Sequence, residues 1–244
     1  MKHSDILVII PCYNEQENIE RVVSHLTEVC PTVDYLVIND CSTDGSEAIL
    51  RKNGYNHVSL PVNLGIGGGV QTGYRYAREN GYAIAVQMDG DGQHDPAFLE
   101  KVIAPVKAGT LDMCIGSRFV TKEGFQSSAL RRFGINFLSG LIFLLSGKRV
   151  LDVTSGFRAA NRAMIDFFSE HYAADYPEPE AILAAMLRGF RVGEAPVIMR
   201  ERMGGVSSIR SFKSAYFMIK VSLSLLVDRI SIRRTRKAEK EAAK

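Results

Sequence analysis

In the segment Gln87-Met88-Asp89-Gly90-Asp91-Gly92-Gln93-His94-Asp95-Pro96, two carboxylates and a carboxamide recur at every second position. Side chains two apart in extended backbone point the same way. Asp89, Asp91 and Gln93 could therefore present three oxygens to one side. That is a partial shell for a hard cation, Mg2+ or Mn2+, which favours carboxylate, carbonyl, water and substrate-phosphate ligands. Gly90 and Gly92 would let a diphosphate come close to the backbone. Two other readings stand beside this one. Asp and Gly also make ordinary solvated turns. Asp89, Asp91 and Glu100 also fall at the first, third and twelfth positions of an EF-hand loop, although His94 occupies the sixth, where Gly belongs. Metal–diphosphate binding ranks first, a plain turn second and calcium third.

Such a loop needs a scaffold, and the first half of the chain supplies one. Short apolar runs predict strands at Ile6–Ile10, Tyr35–Ile38, His57–Leu60, Tyr82–Met88 and Leu111–Ile115. Between them, helical spacing covers Glu15 to about Cys30 and Pro96–Lys107, a turn at 42–46 opens a helix, and a glycine-rich turn precedes a helix from Gly69 to Asn80. Strands alternating with helices at this pitch make a mostly parallel sheet covered on both faces. Ligands of such sheets bind at the carboxyl ends of the strands, so the turns there carry the information. Tyr13 offers a ring for stacking a base, and Glu15 an acceptor for a base or ribose. The competing reading has Asn14 capping the helix and Tyr13 in the core. Asp40 could accept from a base edge, or belong to a capping turn with Asp44 and Ser46. The run 63–69 resembles a phosphate loop but lacks its Lys-Ser/Thr, and the first turn lacks a dinucleotide glycine fingerprint.

The second half changes rhythm. Arg131–Gly147 is apolar around most of its circumference, with one polar stripe of Arg132, Asn136, Ser139 and Gly140, so it is buried or membrane-facing. Residues 177–189 form a helix and Arg191–Met199 a strand. Phe212–Ile232 is an amphipathic helix with Lys213, Lys220 and Ser224 on its polar side.

In order and spacing these segments resemble the family 2 glycosyltransferases of GT-A fold, in their dolichol- or polyprenyl-phosphate branch. The resemblance is carried by Pro11-Cys12-Tyr13-Asn14-Glu15, the run 39–45, Asn63-Leu64-Gly65 and Asp89-Gly90-Asp91-Gly92-Gln93-His94. It continues through Gly116-Ser117-Arg118-Phe119, the run 152–158 and the run 202–208, spanning about residues 5–210. It implies an α/β protein with a mostly parallel, Rossmann-like sheet flanked by helices, and with amphipathic helices at a membrane interface. The domain of residues 1–210 would divide into a nucleotide-sugar part (1–118) and an acceptor part (119–210, with interface helix 129–147), followed by a basic membrane-associating tail (211–244). Pro11, Tyr13, Glu15, Asp40, Asp89 and Gly90 would bind the nucleotide, and Asp89, Asp91 and Gln93 the metal. Asp91, Arg118 and Arg202 would be catalytic, with Arg131, Arg202 and Ser207 on the lipid phosphate. Many members have Asp-Asp where this chain has Asn39-Asp40, and many continue into transmembrane helices.

Composition agrees. With 244 residues, 46% hydrophobic and 23% charged, the chain is globular rather than disordered or fibrous. Its four cysteines have neither zinc nor disulfide spacing, which fits a reducing compartment. From Asp228 to Lys244 there are seven basic and three acidic residues, whereas the remainder is close to neutral. That pattern does not suit nucleic-acid binding; it suits a tail drawn to anionic lipid. The longest apolar runs, Phe137–Leu145 and Ala215–Val227, fall short of the roughly 20 residues of a membrane span. The expectation is a peripheral enzyme on the cytoplasmic face of the cell membrane, served by a small transmembrane partner or forming a homo-oligomer.

A polyprenyl phosphate is anionic at neutral pH and needs no general base. An inverting attack by its oxygen on the sugar of a UDP- or GDP-linked donor is the reaction expected. If the acceptor were a glycan hydroxyl, Glu178 or Glu180 could serve as base. A non-catalytic nucleotide-sugar-binding subunit is the third possibility, against which the intact Asp89, Asp91 and Gln93 set argues.

Overall fold

A computed structural model describes residues 2–124, 128–200 and 213–242, the last without the side chains of residues 213–217 and 233–242. Among the described residues, seven strands form one sheet in the order β3-β2-β1-β4-β6-β5-β7. They are β1 (Ile6–Cys12), β2 (Asp34–Asn39), β3 (His57–Ser59), β4 (Ile84–Gln87), β5 (Met113–Ser117), β6 (Arg158–Asn161) and β7 (Val192–Pro196). All pairings are parallel except those of β6, which runs antiparallel to both β4 and β5. Because strand side chains alternate, β1 serves two cores: Leu7 and Ile9 join one cluster, Val8 and Ile10 the other. Burial on both faces explains why these strands are near-continuous apolar runs.

The helices are α1 (Ile19–Val29), α2 (Ser46–Lys52), α3 (Gly65–Glu79), α4 (Leu99–Lys107), α5 (Ala129–Ser146), α6 (Arg162–Glu170), α7 (Pro177–Arg188) and α8 (Lys213–Ala242). Four differences from expectation have physical causes. First, β6 and α6 were not expected; Arg158-Ala159-Ala160-Asn161 lacks the β-branched residues that mark a strand, and its pairing with β4 is non-local. Second, the glycine-rich run is the first turn of α3 rather than a turn before it. A Cβ on Gly67 would lie 1.9 Å from the Ala173 carbonyl oxygen, so glycine there admits the 173–174 backbone. Gly67→Ala gains about 1 kcal/mol of helix propensity but overpacks a backbone contact at about 3 kcal/mol. A net loss of about 2 kcal/mol in urea unfolding is expected, and an unchanged midpoint would contradict it.

Third, the polar stripe on α5 divides. Ser139 is buried and donates to the Val150 carbonyl, while Arg132, Asn136 and Gly140 are exposed. Phe133, Phe137, Phe143 and Leu144 are also exposed, at 71, 50, 52 and 78%. Fourth, α8 turns its polar side inward. Lys220 pairs with Asp175 and lies 5.3 Å over the Tyr176 ring, and Ser224 donates to Glu180, while Val221 and Leu225 are fully buried. Its outer face carries Ile219, Leu223, Leu226, Val227 and Ile230, all exposed. Because α5 and α8 pack together, they present apolar side chains outward on adjacent helices. Among the described residues no helix is long and apolar enough to cross a membrane.

The α7–α8 contact is pH-sensitive. Burial pushes the Glu180 carboxyl from 4.5 up to about 7; Asp228 and Asp175 add to the rise, and Ser224 and Lys220 oppose it. Burial raises Asp228 as well. A raised carboxyl pKa means the folded state holds a proton that the unfolded state has released. The contact is therefore strongest below about pH 4.5 and weakens as pH rises through about 7. Between pH 4.5 and 8, wild-type melting temperature should fall relative to that of Glu180→Gln; parallel curves would contradict this.

Candidate active site

Strand order reverses at β1, with β2 and β3 to one side and β4 to the other. The crevice outside the carboxyl ends of strands at such a switch point is where open α/β sheets take ligands. The turns after β1, β2 and β4 meet there. Asn14 adopts a left-handed conformation (φ +56°), accepts from the Thr43 amide at 2.8 Å through its side-chain oxygen and donates its own amide to the Ser42 hydroxyl oxygen at 3.0 Å. It ties the first turn to the second rather than capping α1, and Tyr13 is left 48% exposed rather than in the core. Glu15 is buried and accepts from Asn18 Nδ2 at 2.7 Å. Asp40 is buried too; its Oδ1 accepts from the Leu64 amide at 2.7 Å, which fixes the third turn. The Pro11 carbonyl accepts from the Gly90 amide at 3.3 Å, so the turns after β1 and β4 share one edge.

That loop is a turn, because β4 ends at Gln87. The alternation of extended backbone does not operate in it, so the three-oxygen tripod is not produced in the expected way. Asp89 Oδ1 accepts from Gln87 Nε2 at 3.1 Å, Asp91 Oδ1 accepts from the Gln93 amide at 3.0 Å, and Gln93 Nε2 points to the Arg200 carbonyl at 3.4 Å. The glycines also have structural reasons: a Cβ on Gly90 would sit 2.8 Å from the Pro11 oxygen, and Gly92 holds φ +77°. An EF-hand is excluded by the strand before the loop.

Among the described residues no three His, Cys, Asp or Glu side chains make a ready cage for a metal. Two carboxylates on either side of a glycine, at the strand tip and beside the switch point, nonetheless suit Mg2+ or Mn2+. Mg2+ typically takes one or two carboxylates and completes its shell with substrate phosphates and water. The donor set fits a divalent ion bound together with a diphosphate.

Basic residues surround this edge unequally. Arg118, after β5, is 5% exposed and forms a two-pronged pair with the fully buried Asp152, at 2.7 Å from both Nε and Nη2. Its charge is thus offset within the fold instead of being aimed outward. Arg131, in the first turn of α5, lies in electrostatic range of Arg118, Asp152, Asp91 and Glu178. Arg202 and Ser207 lie outside the described residues.

The structure brings three further residues to this edge. Arg158, with no solvent exposure, donates to the Ser155 carbonyl at 2.6 Å, and its Nε has no hydrogen-bond partner. In the sheet it pairs with Gln87. Burial raises the Glu178 carboxyl above its ordinary value; Arg158 opposes the rise and Asp89 adds to it. Glu178 therefore lies in electrostatic range of Asp89, and Glu180 meets Ser224 of α8. Tyr172 donates to Gln87 Oε1 at 3.2 Å. Of these, Arg158 sits in a quoted motif and Glu178 was foreseen as a possible base; Tyr172 carried no signal.

The sequence profile described as Glycosyl transferase family 2 matches residues 7–168. The chain belongs to this family. It is 33% identical over 227 residues to the polyprenol monophosphomannose synthase of Mycolicibacterium smegmatis, covering 88% of this chain and 85% of that protein. It is 30% identical over 247 residues to the UDP-N-acetylglucosamine–dolichyl-phosphate N-acetylglucosaminyltransferase of Methanococcus voltae, covering 91 and 98%. Among solved structures it resembles glucosyl-3-phosphoglycerate synthase from Mycobacterium tuberculosis in complex with Mn2+, UDP-glucose and phosphoglyceric acid. The TM-score is 0.70 at 21% identity, over 92% of this chain and 79% of that one. The GT-A fold is shared; the family 2 chain described here is a glycosyltransferase.

Proposed function

We propose that this glycosyltransferase moves a sugar from a nucleotide-diphosphate donor to polyprenyl phosphate, with inversion at the anomeric carbon. The observation that carries the reading is likeness, over nearly the full chain, to relatives named for polyprenyl- and dolichyl-phosphate transfer. The product would be a lipid-linked sugar donor for envelope glycan synthesis or modification.

In this reading Tyr13, Glu15 and Asp40 receive the nucleoside in the crevice beside Pro11, and Asp89 with Asp91 would hold Mg2+ or Mn2+ as Gly90 underlies the diphosphate. Gln93 is proposed to join that set once its amide turns from Arg200. When bound there, such an ion would supply the positive charge that offsets the departing nucleoside diphosphate. Arg131, with Arg202 and Ser207, draws the acceptor phosphate toward the same edge, a task suited to the planar fork of arginine. Arg118, tied to Asp152, is proposed to keep that edge rigid. The acceptor oxygen is already ionised, so no side chain has to deprotonate it.

The exposed apolar faces of α5 and α8 are proposed to sit in the membrane interface, with the basic tail on anionic headgroups at about 1 kcal/mol per side chain. That places the enzyme peripherally on the cytoplasmic face, where a small transmembrane partner or a second copy would meet the same surface. Incubation of purified protein with radiolabelled UDP- and GDP-sugars and undecaprenyl phosphate tests the function. Label is expected in the organic phase only when lipid and divalent metal are both present. Label moving instead to a water-soluble glycan would favour hydroxyl transfer, and no turnover with any donor would favour a binding subunit.

A further inference from the structure

We infer that Tyr172 and Gln87 form a positioning relay that fixes the carboxylate of Asp89 for a divalent cation; this rests on the metal reading above. Gln87 has no solvent exposure. Its amide is held at both ends: Oε1 accepts from the Tyr172 hydroxyl at 3.2 Å, and Nε2 donates to Asp89 Oδ1 at 3.1 Å. The acceptor-only carboxylate selects Nε2 of the amide, and the Tyr172 hydroxyl, donating to Oε1 at the far end, holds Gln87 in that orientation.

The rest of the surroundings closes the same box. The Asp89 amide donates to His94 Nδ1 at 3.0 Å, His94 Nε2 stands 3.8 Å from Asp89 Oδ2, and the imidazole is stacked on Phe157 with centroids 5.1 Å apart. Across from these, Gly156 has no side chain; a Cβ there would be 2.6 and 2.7 Å from the two Asp89 oxygens and 2.9 Å from Gln87 Nε2. The carboxylate is confined by an amide, an imidazole and a glycine surface. Tyr172 is itself anchored, with its ring edge-on to Phe168 at 5.0 Å and tilted against Tyr74 at 5.5 Å. The backbone just beyond it is tied to α3 by Gly67 N–H donating to Ala174 O at 3.1 Å.

Tyr74 provides the control. Its ring belongs to the same aromatic cluster and is fully buried, but its hydroxyl has no hydrogen-bond partner. Removing either hydroxyl keeps the ring packing; only the Tyr172 hydroxyl leads to Asp89.

The test is Mn2+ titration into the full chain, with and without UDP or GDP, following the free Mn2+ electron-paramagnetic signal. Loss of an outer partner of a metal ligand typically weakens affinity 10–100-fold. Tyr172→Phe should raise the Mn2+ dissociation constant about tenfold, Gly156→Ala should raise it as well by displacing the carboxylate, and Tyr74→Phe should leave it unchanged. Melting temperatures and nucleotide binding without metal should be preserved in both Tyr→Phe variants. Wild-type affinity in Tyr172→Phe, or equal weakening in both tyrosine variants, would overturn the relay and leave the metal reading standing. Failure of the wild-type protein to bind Mn2+ would overturn both.

Discussion

Asp91→Ala is expected to lower the rate of sugar transfer about 10^3-fold while leaving the fold intact. Removing a single preorganised stabiliser of developing charge costs about 10^2–10^3 in rate, and Asp91 is one of two carboxylates proposed to hold the metal. A factor of 10^3 corresponds to about 4 kcal/mol of lost transition-state stabilisation. The effect on folding should be small by comparison, because the Gln93 amide that Asp91 accepts lies at the partly exposed loop. Asp91→Asn separates the two roles. It keeps an oxygen for Gln93 but removes the charge, so it should melt like wild type and still lose most activity. Steady-state kinetics with saturating Mn2+ measures both variants. An undiminished rate in Asp91→Ala would contradict the assignment.

Asp152→Ala should have the largest effect on stability. Asp152 is fully buried and receives the Arg118 amide at 3.1 Å as well as both guanidinium prongs at 2.7 Å, while its own amide donates to Glu194 at 2.9 Å. Truncation strands a buried guanidinium, which costs about 3–5 kcal/mol. Replacing both partners together, Arg118→Met with Asp152→Leu, removes the stranded charge and should recover much of that loss. Activity should not recover with it if the Arg118 guanidinium positions the phosphate edge. Urea unfolding and initial rates on the same preparations give the two answers. A single variant within about 0.5 kcal/mol of wild type would contradict the pair's role.

The order β1 to β5 was legible because all of these strands but the short, partly exposed β3 are largely buried and thus appear as apolar runs bounded by turn residues. The switch-point turns were legible for the same reason: Tyr13, Asp40 and Asp89 follow directly on such runs. Local pattern carries no information about which polar groups meet across the fold. Arg118 and Asp152 are 34 residues apart and Tyr172 and Gln87 are 85 apart, so both pairings arise from topology alone. Period also misleads where the environment inverts it. The polar side of α8 was legible, but Lys220 and Ser224 face Asp175 and Glu180, so Ile219, Leu223, Leu226, Val227 and Ile230 are left exposed. Likewise the alternation of Asp89, Asp91 and Gln93 requires extended backbone, and the chain turns at that point instead.

The central claim is that the lipid phosphate itself is the nucleophile. Phosphorus NMR of polyprenyl phosphate incubated with the enzyme, Mg2+ and the active nucleotide sugar tests it most directly. The phosphomonoester resonance should give way to a phosphodiester, one for each nucleoside diphosphate released. Release of nucleoside diphosphate over an unaltered phosphomonoester signal would contradict it.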